Sequence, residues 1–105
     1  MEIQISGRHV EVTAQMDTHI REQIKKLPPF VEKAQYVTVT LATDSGNQVA
    51  EVVAKSGKAD FVAQAASHDM YKCIDEAFQK LERQLARHHD KLVHGRAKAG
   101  QKDET

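Results

Sequence analysis

The stretch "YVTVTLATDSGNQVAEVVAK", residues 36–55, decides how this chain folds. Val37, Val39 and Leu41 alternate with polar residues before "DSGN", and a second segment of similar character, "QVAEVVAK", follows directly. Alternation with a period of two is typical of half-buried strands, and a short loop with Asp, Gly and Asn favours a tight turn. The stretch therefore predicts two antiparallel strands joined by a hairpin turn.

Upstream of this hairpin, the sequence predicts one strand and one helix. "EIQIS" alternates Ile3 and Ile5 with polar residues, which is typical of a short strand. Thr13 is the expected N-cap of a helix in "AQMDTHIREQIKKL", because the segment keeps apolar residues at helical spacing: Met16, Ile20, Ile24 and Leu27. Pro28 and Pro29 end this helix, since neither has a backbone N–H to donate.

Downstream of the hairpin, the sequence predicts a fourth strand and a long helix. "SGKAD" supplies a second turn, and the small residues of "FVAQAAS" suit a strand that packs closely beneath a helix. The helix extends from about residue 69 to Val93, with Ser67 or Asp69 as its N-cap. The order β-α-β-β-β-α predicts an α+β fold, a two-layer sandwich of four strands with both helices on one face. The first two strands are expected to be parallel through a right-handed crossover.

Length and composition predict a single small domain. Of the 105 residues, 1–94 are expected to form the domain and 95–105 a flexible tail without apolar periodicity. One cysteine, Cys73, cannot form an internal disulfide, which is typical of the cytoplasm. No signal sequence and no membrane-spanning segment is predicted.

The C-terminal part of the chain is basic although the whole chain is neutral. The chain has 15 basic and 15 acidic residues, but residues 80–102 hold seven bases and two acids. At about 100° per residue, four bases fall within an arc of about 80° on the long helix: Lys80, Arg83, Arg87 and Lys91. No acid lies four residues from Arg83 or Arg87, so the usual helical charge pairing is missing. This stripe predicts binding to a polyanion, with an ordinary solvated helix face as the alternative.

Other residues that could carry chemistry lack the necessary spacing. Four metal-ligating residue types are close together on the long helix: His88, His89, Asp90 and His94. Because neighbouring helical positions point about 100° apart, no metal site is predicted, and the histidines are interpreted as RNA contacts or plain surface. Cys73 has no CxxC partner and no adjacent histidine, so a nucleophile is not predicted. Tyr71 is expected to pack on the sheet, with stacking on a base as the alternative. Neither an enzyme nor a cofactor is predicted.

The long helix resembles a known family. "DMYKCIDEAFQKLERQL", residues 69–85, is similar to the signature helix of the ribosome hibernation factors in its Asp-Met-Tyr start, its Ile-Asp pair and its "KLxRQL". The "ISG" opening, the "VEVT" before the first helix and the "KL" at its end extend the likeness over residues 2–94. The resemblance implies a fold like that of double-stranded-RNA-binding domains. It also implies a non-enzymatic protein that binds in the mRNA and tRNA channel of the small (30S) ribosomal subunit, inhibits translation and stabilises inactive ribosomes.

The resemblance also implies which residues meet ribosomal RNA. They are the helix bases Lys80, Arg83, Arg87 and Lys91, with Lys26 at the end of the first helix and Arg21 and Lys25 as further candidates. The expected partners are the small subunit with its rRNA, the 70S ribosome and a second small ribosome modulation factor, and the chain is expected to be a monomer off the ribosome. The short tail favours the factor that promotes 100S ribosome dimers.

Three other functions stay open at this point. The first is a factor of the ribosome-associated inhibitor type, which keeps 70S ribosomes inactive without dimerisation. The second is a binding module for free structured RNA. The third is a small enzyme or metabolite-binding domain, which would need a concave polar pocket and would show little dependence on salt.

Overall fold

The computed structural model describes residues 2–27, 36–56 and 59–93, with side chains for all of these except Ser56 and residues 89–93. Six elements follow one another: β1 (Glu2–Arg8), α1 (Ala14–Lys25), β2 (Tyr36–Asp44), β3 (Asn47–Ser56), β4 (Ala59–Ser67) and α2 (Met70–Val93). This confirms the predicted β-α-β-β-β-α order. The proline pair and the predicted tail, residues 95–105, lie outside the described residues. Within the described part, no helix is long and apolar enough to cross a membrane.

The four strands form one sheet in the order β1-β2-β3-β4. β1 and β2 are parallel, with Ile3 opposite Val37, whereas β2–β3 and β3–β4 are antiparallel. The predicted parallel pair followed by an antiparallel meander is therefore confirmed. β1 and β4 are the two edges of this sheet, so each has a strand neighbour on one side only.

The turn between β2 and β3 is the tight hairpin that "DSGN" predicts. Asp44 lies opposite Asn47, and the two residues between them have positive φ angles, 51° at Ser45 and 86° at Gly46. Positive φ at both central residues characterises the type I′ turn, whose twist matches that of the strands it joins. Glycine takes this conformation without steric cost, which explains its place in the motif.

A second glycine is required at the end of β1. A Cβ atom on Gly7 would lie 2.2 Å from the backbone oxygen of Val10, too close for any side chain. The chain folds back over Gly7 because His9 adopts a positive φ of 61°. Any larger residue would push this return away from the strand and so shift the entry into α1.

One apolar core lies between the sheet and the two helices. Its strand members alternate along the sequence, as half-buried strands require: Val37, Val39, Leu41, Ala50, Val52, Ala54, Phe61, Ala63 and Ala65. The helices contribute Ile20, Ile24, Met70, Cys73, Ile74, Ala77, Phe78, Leu81 and Leu85, and Leu27 joins them just after the end of α1. α2 packs across β3 and β4, where the alanines of β4 let it approach closely, and α1 contacts α2 on the same face. The predicted two-layer sandwich is confirmed.

Side-chain caps fix where each helix begins. The Thr13 hydroxyl accepts a hydrogen bond from the backbone N–H of Met16 at 3.1 Å, as predicted. For α2, the Asp69 carboxylate accepts from the backbone N–H of Tyr71 at 3.0 Å, so Asp69 is the N-cap. Ser67, the other candidate, instead accepts from the backbone N–H of Asp69 at 3.3 Å.

Candidate nucleic-acid interface

The predicted basic stripe is an exposed surface of α2. Lys80, Arg83 and Arg87 are all exposed, and together they form what we call the α2 basic surface. They lie opposite the buried face of the helix, which includes Phe78, 1 % exposed, and Leu81, fully buried. Lys91 continues the same helix, but its side chain lies outside the described residues.

One border of this surface is attached to the edge of the sheet. The Lys80 ammonium donates to the backbone oxygen of Gln64 at 2.9 Å, and the Gln84 amide donates to that of Val62 at 2.7 Å. Because β4 is an edge strand, these carbonyls would otherwise depend on water or on another strand. The two contacts hold α2 over the edge and leave two of the three Lys80 donors available to a ligand.

Acidic side chains of α2 lie on the opposite side, toward α1. Asp75 accepts hydrogen bonds from Gln23 at 3.0 Å and contacts His19 Nε2 at 2.7 Å. Glu82, partly buried, projects from the helix within about 20° of Asp75. Asp75 and Glu82 therefore lie away from the bases, whereas Glu76, one turn before Lys80, is the described acid of α2 on the basic side.

The two arginines have no acidic partner in the described part of the chain. No salt bridge there involves Arg83 or Arg87. By contrast, Arg21 of α1 donates to Asp17 at 2.7 Å, one turn earlier on the same helix. A guanidinium without a carboxylate can offer its full fork of N–H donors to phosphate oxygens.

The structure does not bring the candidate bases of α1 onto the same surface. His19 and Gln23 mark the side of α1 that contacts α2. Arg21 and Lys25 lie about 120° or more around the helix from His19, so they occupy its outer flank. Lys26, the C-cap residue, is exposed and lies within about 20° of His19 in projection, so it is the α1 base on the α2 side.

Three other side chains of α2 lie in surroundings that the sequence did not predict. His88 was interpreted as an RNA contact or plain surface, but its ring packs edge-on against Phe61 with centroids 5.1 Å apart. Tyr71, which was expected to pack on the sheet, has its ring edge-on against His19 of α1, with centroids 5.2 Å apart. Cys73, for which no role was predicted, is fully buried.

Metal and pocket chemistry receive little support from the described residues. These contain no group of three or more His, Cys, Asp or Glu residues that could hold a metal ion, and the side chains of His89 and His94 lie outside them. A depression of about 460 Å³ opens between the helices, lined by Ala14, Gln15, Thr18, His19, Glu22 and Tyr71. In this depression the His19 ring contacts Asp75 at 2.7 Å and packs edge-on against Tyr71, so both rings are held by the interface between the helices.

The fold and the sequence together define the class of this protein. Residues 3–93 match the family described as Sigma 54 modulation protein / S30EA ribosomal protein. Because the match spans most of the 105 residues, the chain belongs to this family. The resemblance carried by residues 69–85 is thereby confirmed.

Particular relatives make the likeness more specific. The ribosome hibernation promoting factor of Klebsiella oxytoca is 33% identical over 92 residues, covering 88% of this chain and 97% of the relative. The protein of that name from Pseudomonas putida is 33% identical over 91 residues, covering 87% and 89%. This family is one of non-enzymatic, ribosome-binding proteins, so the expectation that the chain is not an enzyme is confirmed by its family.

Two solved structures share the fold. A ribosomal subunit interface protein from Coxiella burnetii has a TM-score of 0.81 at 24% identity, covering 85% of this chain and 98% of that one. The N-terminal domain of Protein Y from Thermus thermophilus has a TM-score of 0.74 at 22% identity, covering 84% and 99%. At these identities the likeness establishes the architecture of the sheet and helices, and nothing finer.

Proposed function

We propose that this protein is a ribosome hibernation factor that binds the small ribosomal subunit through the α2 basic surface. It occupies the channel used by mRNA and tRNA, and thereby stops translation and protects idle ribosomes. The observation that carries the proposal is the pair Arg83 and Arg87, exposed, one turn apart and without an acidic partner among the described residues. Because the chain belongs to a ribosomal protein family with relatives named ribosome hibernation promoting factors, we take ribosomal RNA as the polyanion that these arginines bind.

The geometry of α2 suits recognition of folded RNA by its backbone. The helix is held on the core by Phe78, Leu81 and Leu85, so the bases on its other side keep a fixed spacing. Bases at fixed spacing can meet phosphates without reading sequence, which is how proteins recognise one folded RNA by its shape. Inhibition then requires no chemistry, because occupation of the channel excludes mRNA and tRNA.

The names of the relatives favour promotion of 100S ribosome dimers over inhibition of 70S ribosomes alone. Both compared proteins from Klebsiella oxytoca and Pseudomonas putida are named hibernation promoting factors, which favours a role in forming 100S ribosome dimers. A second small ribosome modulation factor is the expected partner in that step. Ribosome profiles on sucrose gradients, with and without such a factor, would separate this role from inhibition of 70S ribosomes alone.

The direct test is co-sedimentation with separated ribosomal subunits. Wild type is compared with a variant in which Lys80, Arg83, Arg87 and Lys91 are all changed to alanine. The wild type is expected to bind small subunits with a log–log salt slope of roughly −3 to −5, from four to six phosphate contacts. The quadruple variant is expected to remain at the top of the gradient.

A matched control removes positive charge elsewhere. Lys55 lies on the outer face of the sheet beside Asp60, and Arg8 lies on the same face at the end of β1. The double variant Arg8→Ala/Lys55→Ala is expected to bind like wild type. If it loses binding as the α2 variant does, the attraction depends on total charge and not on the proposed surface.

Free structured RNA is the competing ligand. A large excess of tRNA is expected to leave binding to small subunits nearly unchanged, because the ribosome supplies a shaped site. A module for free RNA would instead be displaced by tRNA in proportion to its concentration. Such displacement would mean that the protein binds structured RNA in general and not the ribosome in particular, although α2 would still be the binding surface.

A further inference from the structure

The first turn of α2 carries a base that folding does not explain. Lys72 is exposed, and the first turn of this helix contains no acidic residue. The N-terminal end of a helix bears a partial positive charge, so a lysine there is unfavourable. Within the described part of the chain, Lys72 forms no salt bridge that would offset this repulsion.

Lys72 lies in line with the α2 basic surface. Lys72 and Arg83 are about three turns apart, which places them within about 20° of each other in projection and about 16 Å apart along the axis. This line faces solvent, since Asp75 turns toward α1 and Lys80 toward β4. A polyanion lying along α2 from Arg87 would therefore reach Lys72.

Glu76 interrupts this line. It follows Lys72 by one turn, precedes Lys80 by one turn and is partly buried. Neither lysine forms a salt bridge with it. Its carboxylate therefore repels a bound phosphate backbone without being neutralised by its neighbours.

We propose that Lys72 is a further phosphate-contacting residue of this protein, and that Glu76 limits the affinity of the same surface. The inference rests on the proposed function, because it takes ribosomal RNA as the polyanion. It extends the contact from the middle of α2, where Lys80 and Arg83 lie, to its first turn, so the RNA backbone follows most of the length of the helix.

The sharpest test is Lys72→Glu, because binding is then expected to change far more than folding. A glutamate in the first turn favours the helix dipole but lies one turn from Asp69 and from Glu76, so the Tm is expected to change by no more than about 2 °C. Affinity for purified small subunits is expected to fall by about tenfold or more, since a contact is replaced by repulsion. Wild-type affinity would overturn the inference, and so would a large fall in Tm, which would mean that Lys72 supports the fold.

Two milder variants test each residue separately. Lys72→Ala is expected to weaken binding about threefold to tenfold and to reduce the magnitude of the salt slope by about 0.7–0.9. Glu76→Gln is expected to tighten binding about twofold to fivefold, because one repulsive charge is removed. Lys55→Ala, on the outer face of the sheet, serves as the neutral control.

Arg83→Ala distinguishes failure of this inference from failure of the proposed function. If Arg83→Ala weakens binding while every Lys72 variant binds like wild type, Lys72 is plain surface and the inference is wrong, but the proposed function stands. If Arg83→Ala and the Lys72 variants all bind like wild type, α2 is not the interface and both are wrong.

Discussion

The two helices of this protein differ in how their basic side chains are paired with acids. α1 follows what an isolated helix prefers, with Asp17 in its first turn and Lys25 in its last. Its Arg21 pairs with Asp17 one turn earlier, at 2.7 Å. α2 has Lys72 and no acid in its first turn, and within the described residues its two arginines have no acidic partner.

The helices also differ in how much of the core they provide. Up to residue 88, where its described side chains end, α2 contributes seven buried residues: Met70, Cys73, Ile74, Ala77, Phe78, Leu81 and Leu85. α1 contributes Ile20 and Ile24 within its bounds. The helix with unfavourable surface charge is therefore the one with the larger apolar anchor. The charges of α1 therefore agree with what favours an isolated helix, whereas the arginines of α2 have no acidic partner among the described residues, which is why we propose an RNA ligand for them.

The largest expected effect tests whether α2 contributes more to the stability of the core than α1 does. Phe78→Ala on α2 is expected to lower the free energy of unfolding by about 3–5 kcal/mol, because it empties a fully packed site. Met16→Ala on α1 is expected to cost only about 1–2 kcal/mol, since Met16 is half-buried at the margin of the core. Urea unfolding followed by circular dichroism measures both. Equal losses would mean that α1 is anchored as firmly as α2.

The second largest expected effect tests whether RNA binding depends on the exposed bases of α2 more than on those of α1. Arg83→Glu/Arg87→Glu on α2 and Arg21→Glu/Lys25→Glu on α1 make the same change of charge at exposed helical positions. The α2 variant is expected to lose about a hundredfold or more in affinity for small subunits at moderate salt, because two contacts become repulsive. The α1 variant is expected to lose about tenfold at most, by longer-range repulsion.

The outcome of that pair also decides how far the interface extends. If the α1 variant loses as much affinity as the α2 variant, Arg21 and Lys25 contact RNA directly and the interface wraps around both helices. Thermal unfolding serves as the control, since the variant replaces the Arg21–Asp17 attraction by repulsion and puts an acid in the last turn of α1, a combined cost of about 1–2 kcal/mol.

Most of the fold could be predicted from local patterns. Alternation in "YVTVTLAT", the turn chemistry of "DSGN" and the helical spacing of Ile20 and Ile24 each depend on near neighbours in the sequence. Such patterns fix element type and buried face before any tertiary contact is known. The parallel pairing of β1 with β2 followed from the helix between them, because parallel strands need a crossover connection.

The site was less predictable because it depends on how elements cross. The helical wheel found Lys80, Arg83 and Arg87, but it could not show that Lys80 reaches the Gln64 carbonyl of β4. Nor could it show that His88 meets Phe61, since that contact joins distant parts of the chain. Lys72, which we propose as a further contact, was left out for another reason: the stripe was counted from residue 80, although the same wheel places Lys72 beside Arg83.

A smaller effect concerns the contact between the helices. Asp75→Ala removes the partner of His19 and Gln23, the polar link from α2 to α1. The expected loss of unfolding free energy is about 0.5–1.5 kcal/mol, at the lower end because the His19 and Asp75 side chains are 28% and 43% exposed. A double-mutant cycle with His19→Ala measures the coupling. A coupling near zero would mean that the core alone sets the position of α1.

The smallest expected effect appears only at high pH and belongs to α2. Burial, reinforced by the nearby carboxylate of Glu76, raises the pKa of the Cys73 thiol above its ordinary value of 9.0. The folded protein therefore keeps the thiol proton at a pH where the unfolded chain releases it. It follows that the stabilising effect of the thiol is complete below about pH 8.5 and is lost as pH rises through the folded pKa.

Comparison with Cys73→Ala isolates this titration from that of the lysines and tyrosines, which both chains share. Cys73 is fully buried, and its sulfur donates to the backbone oxygen of Gln48, so the variant is less stable at every pH. The difference in unfolding free energy between the two proteins is expected to be constant from pH 7 to 8 and to narrow above pH 9. Parallel curves up to pH 10 would mean that the thiol ionises as readily in the folded protein as in the unfolded chain, and that the first half of α2 admits water.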